Sequence, residues 1–254
     1  MDIKILVVTH KPYWMPEDKI YLPIQVGFGE ELGFQRDNTG DNIAGKNKNY
    51  CELTALYWAW KNLKADYIGL AHYRRHFSLS KKHDKHLAPV TGSDVAPLLE
   101  KYEVLLPKKR HYYIETTYSQ YIHAHHKEDL DTAETIIKEK YPDYLEAFNE
   151  VMGKTSGHRF NMFIMKKDVF DDYCKWLFSI LFELESRLDI SNYSSNDARV
   201  FGFVGERLLD VWMVKNKVGY KDIPYVFMEK QNWVIKCGNF VLRKIKGGFE
   251  NENN

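Results

Sequence analysis

Cysteine is scarce in this sequence of 254 residues. Only three cysteines occur, Cys51, Cys174 and Cys237, and they lie far apart. This spacing excludes the paired cysteines of a zinc site and does not fit the disulfide framework of a small secreted protein. We therefore expect reduced thiols and a cytoplasmic location.

Long hydrophobic runs are also missing. The longest candidate, residues 173–184, is interrupted by Lys175, Ser179 and Glu183, and it falls short of the roughly 20 apolar residues of a membrane-spanning helix. The first residues carry neither a basic region nor a small-residue cleavage site, so they favour a strand over a signal peptide. We expect no membrane-spanning segment, and peripheral association with the inner face of the membrane stays open.

Neither sign of charge is in excess. Lys and Arg number 36 and Asp and Glu number 35, which leaves a formal net charge of +1. The basic stretches at 81–86 and 107–111 lack a recognition motif, so we expect no nucleic-acid partner. The chain does have 44% hydrophobic and 15% aromatic residues, which is the composition of a globular protein with a sizeable core.

Flexible linkers, repeats and low-complexity tracts are absent as well. We therefore predict a single domain over residues 1–246, followed by a frayed tail at 247–254. Apolar, β-branched runs predict strands, and helical spacing of apolar residues predicts helices. The strands are expected at 3–10, 21–27, 66–77, 103–107 and 160–167, and the helices at 50–64, 94–102, 119–142, 168–189 and 197–216.

The order of these elements indicates the fold class. The first strand is apolar on both faces, as in a central parallel strand, and it is followed by a loop, a helix and another buried strand. Long helices then dominate, including one at 168–189 with Asp168 as its N-cap. We predict an α/β nucleotide-binding domain with a mainly parallel central sheet and a helical C-terminal half.

The first candidate contacts lie where the first strand ends. Thr9, His10 and Lys11 close this strand, and ligands of open α/β sheets bind beyond the carboxyl ends of the strands. This position predicts contact with a nucleotide. Ordinary surface residues after a strand are the alternative, because position alone is an argument from the fold.

The loop before the first helix is rich in hydrogen-bond donors. It contains Asp41, Asn42, Lys46 and Asn47, a composition able to surround an anion at a helix N-terminus. The loop matches neither the Walker pattern nor the dinucleotide glycine pattern, so it predicts neither a nucleoside triphosphatase nor a dinucleotide oxidoreductase. A polar loop without a ligand is the alternative.

The segment 66–77 combines an apolar strand with a basic end. His72, Arg74 and Arg75 follow its apolar core, so two guanidinium groups reach the edge of the sheet, where they can bind a diphosphate. Because side chains alternate along a strand, Arg74 and Arg75 should face opposite sides unless the strand has already ended. Solvated arginines paired with surface carboxylates are the alternative, which we favour less.

Histidines and carboxylates are concentrated at 123–131. His125 or His126 is expected near Asp129 on one face of a helix, close enough to share a proton or a ligand. Asp129 and Asp131 also form an Asp-x-Asp pair, but inside a charged helical stretch rather than after an apolar strand, so we do not favour a metal there. A cluster on a helix surface is the simpler interpretation.

The last candidates lie in the second half of the chain. Asn161 and Met162 could line an acceptor pocket, although methionine in such a stretch is more often part of a core. Arg199, Glu206 and Arg207 lie among apolar residues. Burial would raise the pKa of Glu206, or a paired arginine would hold it ionised, and either state can serve a catalytic base. A salt bridge that only stabilises the helix is the alternative.

These segments resemble a known family, the domain-of-unknown-function proteins of capsular, exopolysaccharide and O-antigen (lipopolysaccharide) biosynthesis, which are regarded as glycosyltransferases. The resemblance rests on KPY (11–13), PIQVG (23–27), GDNIAGKNKNYCELTALYWAWKN (40–62), DYIGLAHYRRHF (66–77), HAHHKEDL (123–130), NMFIMKK (161–167), WLFSILFELE (176–185) and RVFGFVGERLLDVW (199–212). It spans nearly the whole chain.

The resemblance implies a single GT-A-like domain that transfers a sugar from a nucleotide donor to a growing lipid-linked or oligosaccharide acceptor. Some relatives are thought to transfer galactose or galactofuranose, so a UDP-linked donor is expected. GT-A enzymes usually hold Mn²⁺ or Mg²⁺ with Asp-x-Asp after a strand, whereas this sequence has HYRR at 72–75. Arginines can neutralise a diphosphate directly, so a divalent cation is possible but disfavoured.

The residues expected in the site bind the donor, bind the acceptor or deprotonate the acceptor hydroxyl. The donor group is Thr9, His10, Lys11, Asp41, Asn42, Lys46, Asn47, His72, Arg74 and Arg75, the acceptor group is Asn161, Met162 and Arg199, and the catalytic group is Glu206, Asp129 and His126. A non-catalytic glycan-binding or scaffold subunit of a polysaccharide assembly complex is the alternative function, because aromatic side chains also stack on sugars.

Overall fold

The structure is a computed structural model that describes residues 1–79 and 84–229. Within these residues a mixed sheet of nine strands forms the centre of the molecule, and two short strands form a second sheet. The strands are β1 (Ile3–Thr9), β2 (Tyr21–Gln25), β3 (Gln35–Arg36), β4 (Tyr67–His72), β5 (Arg75–Phe77), β6 (Val104–Pro107), β7 (Arg110–His111), β8 (Ser156–Gly157), β9 (Phe163–Lys166), β10 (Tyr220–Ile223) and β11 (Tyr225–Phe227). The expected tail at 247–254 lies outside the described residues.

Most neighbouring strands on the main path of the large sheet run parallel. Its main path has the order β10-β6-β9-β4-β1-β2-β3. On this path β9 is antiparallel to both its neighbours, whereas the other pairs are parallel. β5 folds back on β4 and also pairs with β11, and β7 pairs with β8. The expected α/β class with a largely parallel central sheet is confirmed.

Helices cover both faces of the sheet and dominate the second half of the described chain. They are α1 (Asn47–Tyr50), α2 (Leu53–Asn62), α3 (Gly92–Leu99), α4 (Thr117–Ile122), α5 (Lys127–Lys140), α6 (Leu145–Gly153), α7 (Lys167–Arg187) and α8 (Val200–Asn216), with short 3₁₀ turns at Ala44–Lys46, Lys85–Leu87, Pro142–Tyr144 and Asp197–Arg199. In the part of the chain that the structure describes, no helix is long and apolar enough to cross a membrane.

β1 occupies the middle of the sheet because its side chains are apolar on both faces. Leu6 and Val8 belong to the larger of two buried apolar clusters, which includes residues of α2, α5, α6, α7 and α8. Ile5 and Val7 belong to the smaller cluster on the other face, with residues of α3. The carboxyl end of β1 is therefore held firmly between two cores.

Three expected elements are divided in the structure. The helix expected at 50–64 is interrupted at Cys51, whose φ is 54°, so that α1 and α2 are separate. The strand expected at 66–77 ends at His72, and the chain turns before Arg75. The helical region expected at 119–142 is divided into α4 and α5. None of these breaks falls on glycine or proline, which are the usual signals.

The N-cap expected for the long helix is wrong by two residues. Lys166 occupies the N-cap position of α7 and makes no capping hydrogen bond with its side chain. Asp168 lies inside the first turn, where its Oδ1 accepts a hydrogen bond of 2.8 Å from the amide of Val169. β9 runs directly into the helix, so no extended residue is left between them for a polar cap.

Candidate active site

The candidate site lies at the edge of the sheet where the parallel strands end. β1, β2 and β4 all finish there, and the antiparallel β9 begins there. The segments that follow or precede these strand ends therefore meet at one edge, which is the usual ligand-binding edge of open α/β sheets. Thr9 shapes the first of these segments, because its Oγ1 donates to the carbonyl oxygen of Lys11 at 2.6 Å.

Two arginines lie on a tight turn between β4 and β5, which we call the arginine turn (residues 72–75). His72 and Arg75 are opposite each other across the two strands. The amide of Met228, just after β11, donates to the carbonyl oxygen of Arg74 at 2.9 Å. Because β4 ends before Arg74, strand alternation does not separate the two arginines. The turn therefore directs both residues to the same edge of the sheet.

Arg75 is partly buried without a carboxylate partner. Its guanidinium lies 4.2 Å from the ring centroid of Phe160 and 5.3 Å from that of Phe227. It forms no salt bridge to any residue within 1–79 and 84–229, and its buried Nε has no hydrogen-bond partner there. Burial and the charge of Arg74 lower the pKa of Arg75. An anion at this position would supply the missing counter-charge.

Arg74 and two histidines extend the positive region. Arg74 lies 3.5 Å from the carboxylate of Glu229. Burial, followed by the charges of Arg75 and Arg74, lowers the pKa of His72 to about 3, and burial together with Lys11 lowers the pKa of His10. Both histidines are therefore neutral near pH 7, and they can contribute hydrogen bonds to a ligand but not charge.

Arg199 approaches the same region from the 3₁₀ turn that precedes α8. Its Nε donates to Sγ of Cys51 at 3.1 Å, and its guanidinium lies 5.3 Å from the ring of Phe203. Its charge contributes to the lowered pKa values of His10 and His72. Arg199 thus joins the arginine turn in one positive field, although the sequence suggested a role in acceptor binding.

Glu52 is a carboxylate of this region that the sequence analysis did not select. It precedes α2 and is half-buried, and its Oε1 accepts a hydrogen bond of 2.7 Å from Nδ2 of Asn161. Burial raises the pKa of Glu52, and the nearby charge of Glu206 raises it further. The sequence carried one usable signal, a carboxylate near the start of a helix that follows a loop rich in polar residues.

Strained backbone surrounds Glu52. Cys51, Phe160 and Asn161 have φ values of 54°, 77° and 52°. These values lie in the left-handed region of the backbone, which residues other than glycine rarely adopt. Cys51 is adjacent to Glu52 in sequence, and Asn161 donates to its carboxylate. Such strain costs on the order of 1–3 kcal/mol per residue and concentrates at functional sites. The strain here is therefore a sign that this carboxylate has a functional role.

Glu206 lies beside the site in a salt bridge. Its Oε2 accepts from Nη1 of Arg207 at 3.1 Å. Arg207 is buried, and it also donates to the carbonyl oxygen of Phe203 and to Oε1 of Gln120. The helix-stabilising salt bridge considered from the sequence is therefore present. Glu206 is also close enough to Glu52 to affect its pKa.

Only part of the polar loop before α1 reaches the site. Asn47 lies near the end of β2, because a Cβ on Gly27 would be 2.8 Å from its Oδ1. Asp41 is instead bonded to Tyr57 and Asn62 in the second half of α2. Lys46 is bound at 2.7 Å by Glu185 at the end of α7, and Asn42 bonds within its own loop. The structure thus gives Asp41, Asn42 and Lys46 structural contacts.

The histidine and carboxylate cluster at 123–131 assembles in part, because His126 lies close enough to Asp129 to act on its charge. His125 bonds to Asp197 at 3.3 Å rather than to Asp129, because the chain breaks between α4 and α5. Both carboxylate oxygens of Asp129 accept hydrogen bonds of 2.7 Å from tyrosine hydroxyls, those of Tyr121 and Tyr193. His126 stacks on the ring of Tyr193. These contacts give Asp129 a structural environment.

Of the two acceptor residues expected beside β9, only one reaches the site. Met162 is completely buried in the smaller apolar cluster, which is the core role that the sequence analysis gave as the alternative. Asn161 is also buried, but its amide reaches Glu52. The change of direction between the two residues follows from the left-handed backbone at Asn161.

The side chains at this edge do not suit a divalent cation. The arginine turn occupies the position after β4, and cationic groups repel a metal ion. Within the described ranges, no group of three or more His, Cys, Asp or Glu residues could hold a metal ion. Burial raises the pKa of Cys51 to about 11, so its sulfur is a neutral thiol rather than a ligand thiolate.

A solved structure resembles this chain over most of its length. It is the apo form of the bifunctional glycosyltransferase WbbM, which superimposes with a TM-score of 0.84 and is 33% identical in sequence. The match covers 91% of this chain and 46% of that one, so this chain spans about half the length of the solved protein. None of the curated proteins compared with the chain matches it.

A family model matches the chain as well. The match runs over residues 4–217 and therefore includes the sheet edge, the arginine turn, Glu52 and the first turns of α8. The family is described as a domain of unknown function, DUF4422. Because the match covers far more than half of the sequence, this chain belongs to the DUF4422 family.

Proposed function

We propose that this protein is a glycosyltransferase that moves a sugar from a UDP-linked donor to a growing bacterial surface polysaccharide. The observation that carries the proposal is the arginine turn, where Arg75 is partly buried at the edge of the sheet and forms no salt bridge with the residues that the structure describes. Similarity to the glycosyltransferase WbbM supports the same class of reaction. Galactose or galactofuranose is the proposed sugar, as the family resemblance implies.

The proposed donor site uses the arginines as the charge partners of the diphosphate. Arg74 and Arg75 come from one turn, and Arg199 approaches from the start of α8. Forked N–H groups bind phosphate oxygens in pairs. These bonds strengthen as negative charge develops on the leaving UDP, which accelerates cleavage of the bond between the sugar and the phosphate. His10 and His72 supply neutral donors beside them.

The same arrangement favours transfer without a metal ion. In a metal-dependent enzyme a divalent cation would neutralise the diphosphate, and here three guanidinium groups take that role. We therefore propose that transfer continues in EDTA. Loss of all activity in EDTA, followed by recovery with Mn²⁺, would contradict this part of the proposal.

The acceptor is proposed to be a lipid-linked or free oligosaccharide. Association with a lipid surface is supported by the segment 108–114, which follows β6. Tyr113 and Ile114 at its tip are 86% and 70% exposed, and Lys108 and Arg110 beside them are exposed too. An apolar tip with basic neighbours is suited to binding an anionic lipid surface. We propose that this segment brings the protein to a membrane-bound acceptor.

Binding and turnover test the proposal together. UDP and UDP-galactose should raise the melting temperature, because a ligand at 100 times its Kd adds about 2.7 kcal/mol of stability. Uridine, which lacks the diphosphate, is the matched control and should have little effect. Mass spectrometry of products formed with lipid-linked acceptors then separates an enzyme from a glycan-binding subunit. Absence of a thermal shift with every nucleotide diphosphate would refute the donor site.

A further inference from the structure

We propose that Glu52 is the general base that removes the proton from the acceptor hydroxyl. The proposal rests on the proposed glycosyltransferase function and assigns one step of it to a residue outside the set selected from the sequence. It has three independent supports in the described residues, which are the hydrogen bonds of the carboxylate, the backbone around it and its position among the charges of the site.

The hydrogen bonds of Glu52 leave it available for proton transfer. Oε1 accepts from Nδ2 of Asn161 at 2.7 Å, and the same Nδ2 lies 3.2 Å from the carbonyl oxygen of Gly202. Oε2 has no side-chain partner in residues 1–79 and 84–229. Asn161 is buried and therefore fixes the direction of the carboxylate. The Asn161 amide thus holds Oε1 in place, the amide of Glu52 itself also hydrogen-bonds the carboxylate, and the described side chains leave Oε2 to an incoming hydroxyl group.

Among the carboxylates considered for this step, Glu52 is the one that neither an arginine nor a tyrosine hydroxyl binds within the described residues. Glu206 is already in a salt bridge with the guanidinium of Arg207. Asp129 accepts hydrogen bonds from two tyrosine hydroxyls. Glu52 receives a neutral amide, and burial together with the charge of Glu206 raises its pKa. A general base works best when its pKa lies near the working pH.

The backbone around Glu52 is held in an unfavourable conformation. Cys51 and Asn161 both have φ above +50°. Cys51 precedes Glu52 in sequence, whereas Asn161 contacts it from the segment before β9. A side chain added at Gly202 would place its Cβ 3.4 Å from Sγ of Cys51, so α8 packs closely against this turn. The surrounding structure therefore maintains the strain, as expected where a carboxylate must be oriented.

The Glu52 carboxylate lies within the electrostatic reach of the arginines that are proposed to bind the diphosphate. The charge of Glu52 acts on Arg75 and Arg199. A diphosphate on these arginines would therefore lie in the same region of the site as the Glu52 carboxylate.

The step balances as a single displacement. The acceptor O–H bond breaks and its proton moves to Oε2 of Glu52, while the acceptor oxygen forms a bond to the anomeric carbon. The bond from that carbon to the phosphate oxygen breaks, and its electron pair leaves with UDP, whose charge the arginines stabilise. Glu52 later returns its proton to water. A single displacement inverts the anomeric configuration, so the product must be inverted relative to the donor.

Matched glutamine variants test the assignment in the full chain. Glu52→Gln keeps an oxygen for the Asn161 amide but cannot accept a proton, so turnover should fall by about 100-fold or more, with the Kd for UDP changed by less than threefold. Glu183→Gln is the matched control, because Glu183 pairs with Arg187 at the end of α7, and it should keep turnover within threefold of the wild type. Glu52→Asp keeps a carboxylate on a shorter side chain and should therefore retain more turnover than Glu52→Gln. It also replaces the glutamine variant in the comparison if that variant is unstable.

A second readout distinguishes basicity from structure. Asn161→Ala removes a donor to the carboxylate, so the ascending limb of kcat/KM against pH should move to higher pH while transfer continues. NMR of the product should show inversion at the anomeric carbon. Retention of the anomeric configuration would overturn the assignment of Glu52, and so would turnover of Glu52→Gln within threefold of the wild type. Neither result would affect the proposed binding of UDP. Failure of the wild-type protein to bind UDP would instead overturn the proposed function and the assignment with it.

Discussion

Replacement of Arg75 tests whether the arginine turn binds a diphosphate. The guanidinium of Arg75 lies over the rings of Phe160 and Phe227, and it forms no salt bridge with the residues that the structure describes. Burial and the charge of Arg74 lower its pKa, so the protein holds a cation where its charge is unfavourable. A bound phosphate would remove this penalty, and the site should gain most of its affinity from that exchange.

The expected size of the effect follows from the strength of charged hydrogen bonds. Such bonds contribute about 1.5–3 kcal/mol, and each 1.4 kcal/mol corresponds to a factor of ten in Kd. Arg75→Ala should therefore weaken UDP binding by about 10-fold to 150-fold. Arg75→Lys should recover part of the loss, because it keeps the charge but not the forked donors. Folding should survive, since loss of the ring contacts is offset by removal of a partly buried charge.

Isothermal titration with UDP at low and high salt measures this effect. The wild-type Kd should rise more steeply with salt than that of Arg75→Ala, because screening weakens a charged contact that the variant lacks. Arg187→Ala is the control, since Arg187 already pairs with Glu139 and Glu183 at the end of α7. If Arg75→Ala and Arg74→Ala both bind UDP within twofold of the wild type, the arginine turn is not the diphosphate site.

Three further predictions concern stability and the lipid surface. A Cβ at Gly69 would lie 3.0 Å from a backbone oxygen of β9, so Gly69→Ala should reduce the free energy of unfolding by about 1–3 kcal/mol in denaturant titrations; Gly153→Ala, with open space around it, should not. Burial lowers the pKa of His76 to about 4, below the value of 6.5 in the unfolded chain, so unfolding takes up a proton as pH falls through this window. The wild type should lose about 2 kcal/mol between pH 8 and pH 5 from this residue, and His76→Phe should lose correspondingly less. The double variant Tyr113→Asp and Ile114→Asp should no longer co-sediment with anionic vesicles, although it should still bind UDP. Unchanged co-sedimentation would refute the proposed lipid contact.

The sequence was sufficient for the central strands and long helices because their signals are local. The apolar, β-branched run of β1 and the helical spacing in α7 and α8 each lie within one segment. β10 and β11 were not predicted, because their residues are half-exposed and mostly polar or aromatic. Their strand conformation comes from pairing with β6 and β5, and such long-range pairing leaves little trace in the local pattern.

The same distinction explains which site residues could be found. His72, Arg74 and Arg75 follow an apolar strand, so position and charge together indicated them. Glu52 was missed because residues 50–64 have the pattern of a continuous helix, and nothing in a cysteine signals the left-handed turn at Cys51. Its hydrogen-bond partner is 109 positions away, and no local pattern connects the two residues.

The pairing of β5 with β11 makes the arginine turn depend on residues near the far end of the described chain. Arg75 lies opposite Phe227, and the amide of Met228 holds the carbonyl oxygen of Arg74. The family match stops at residue 217, before either of the last two strands begins. A gene trimmed to that boundary would encode most of the sheet and all the described helices, yet the strand that pairs with β5 beside the arginine turn would be missing. Any graft or fusion built from this protein should therefore extend at least to residue 229.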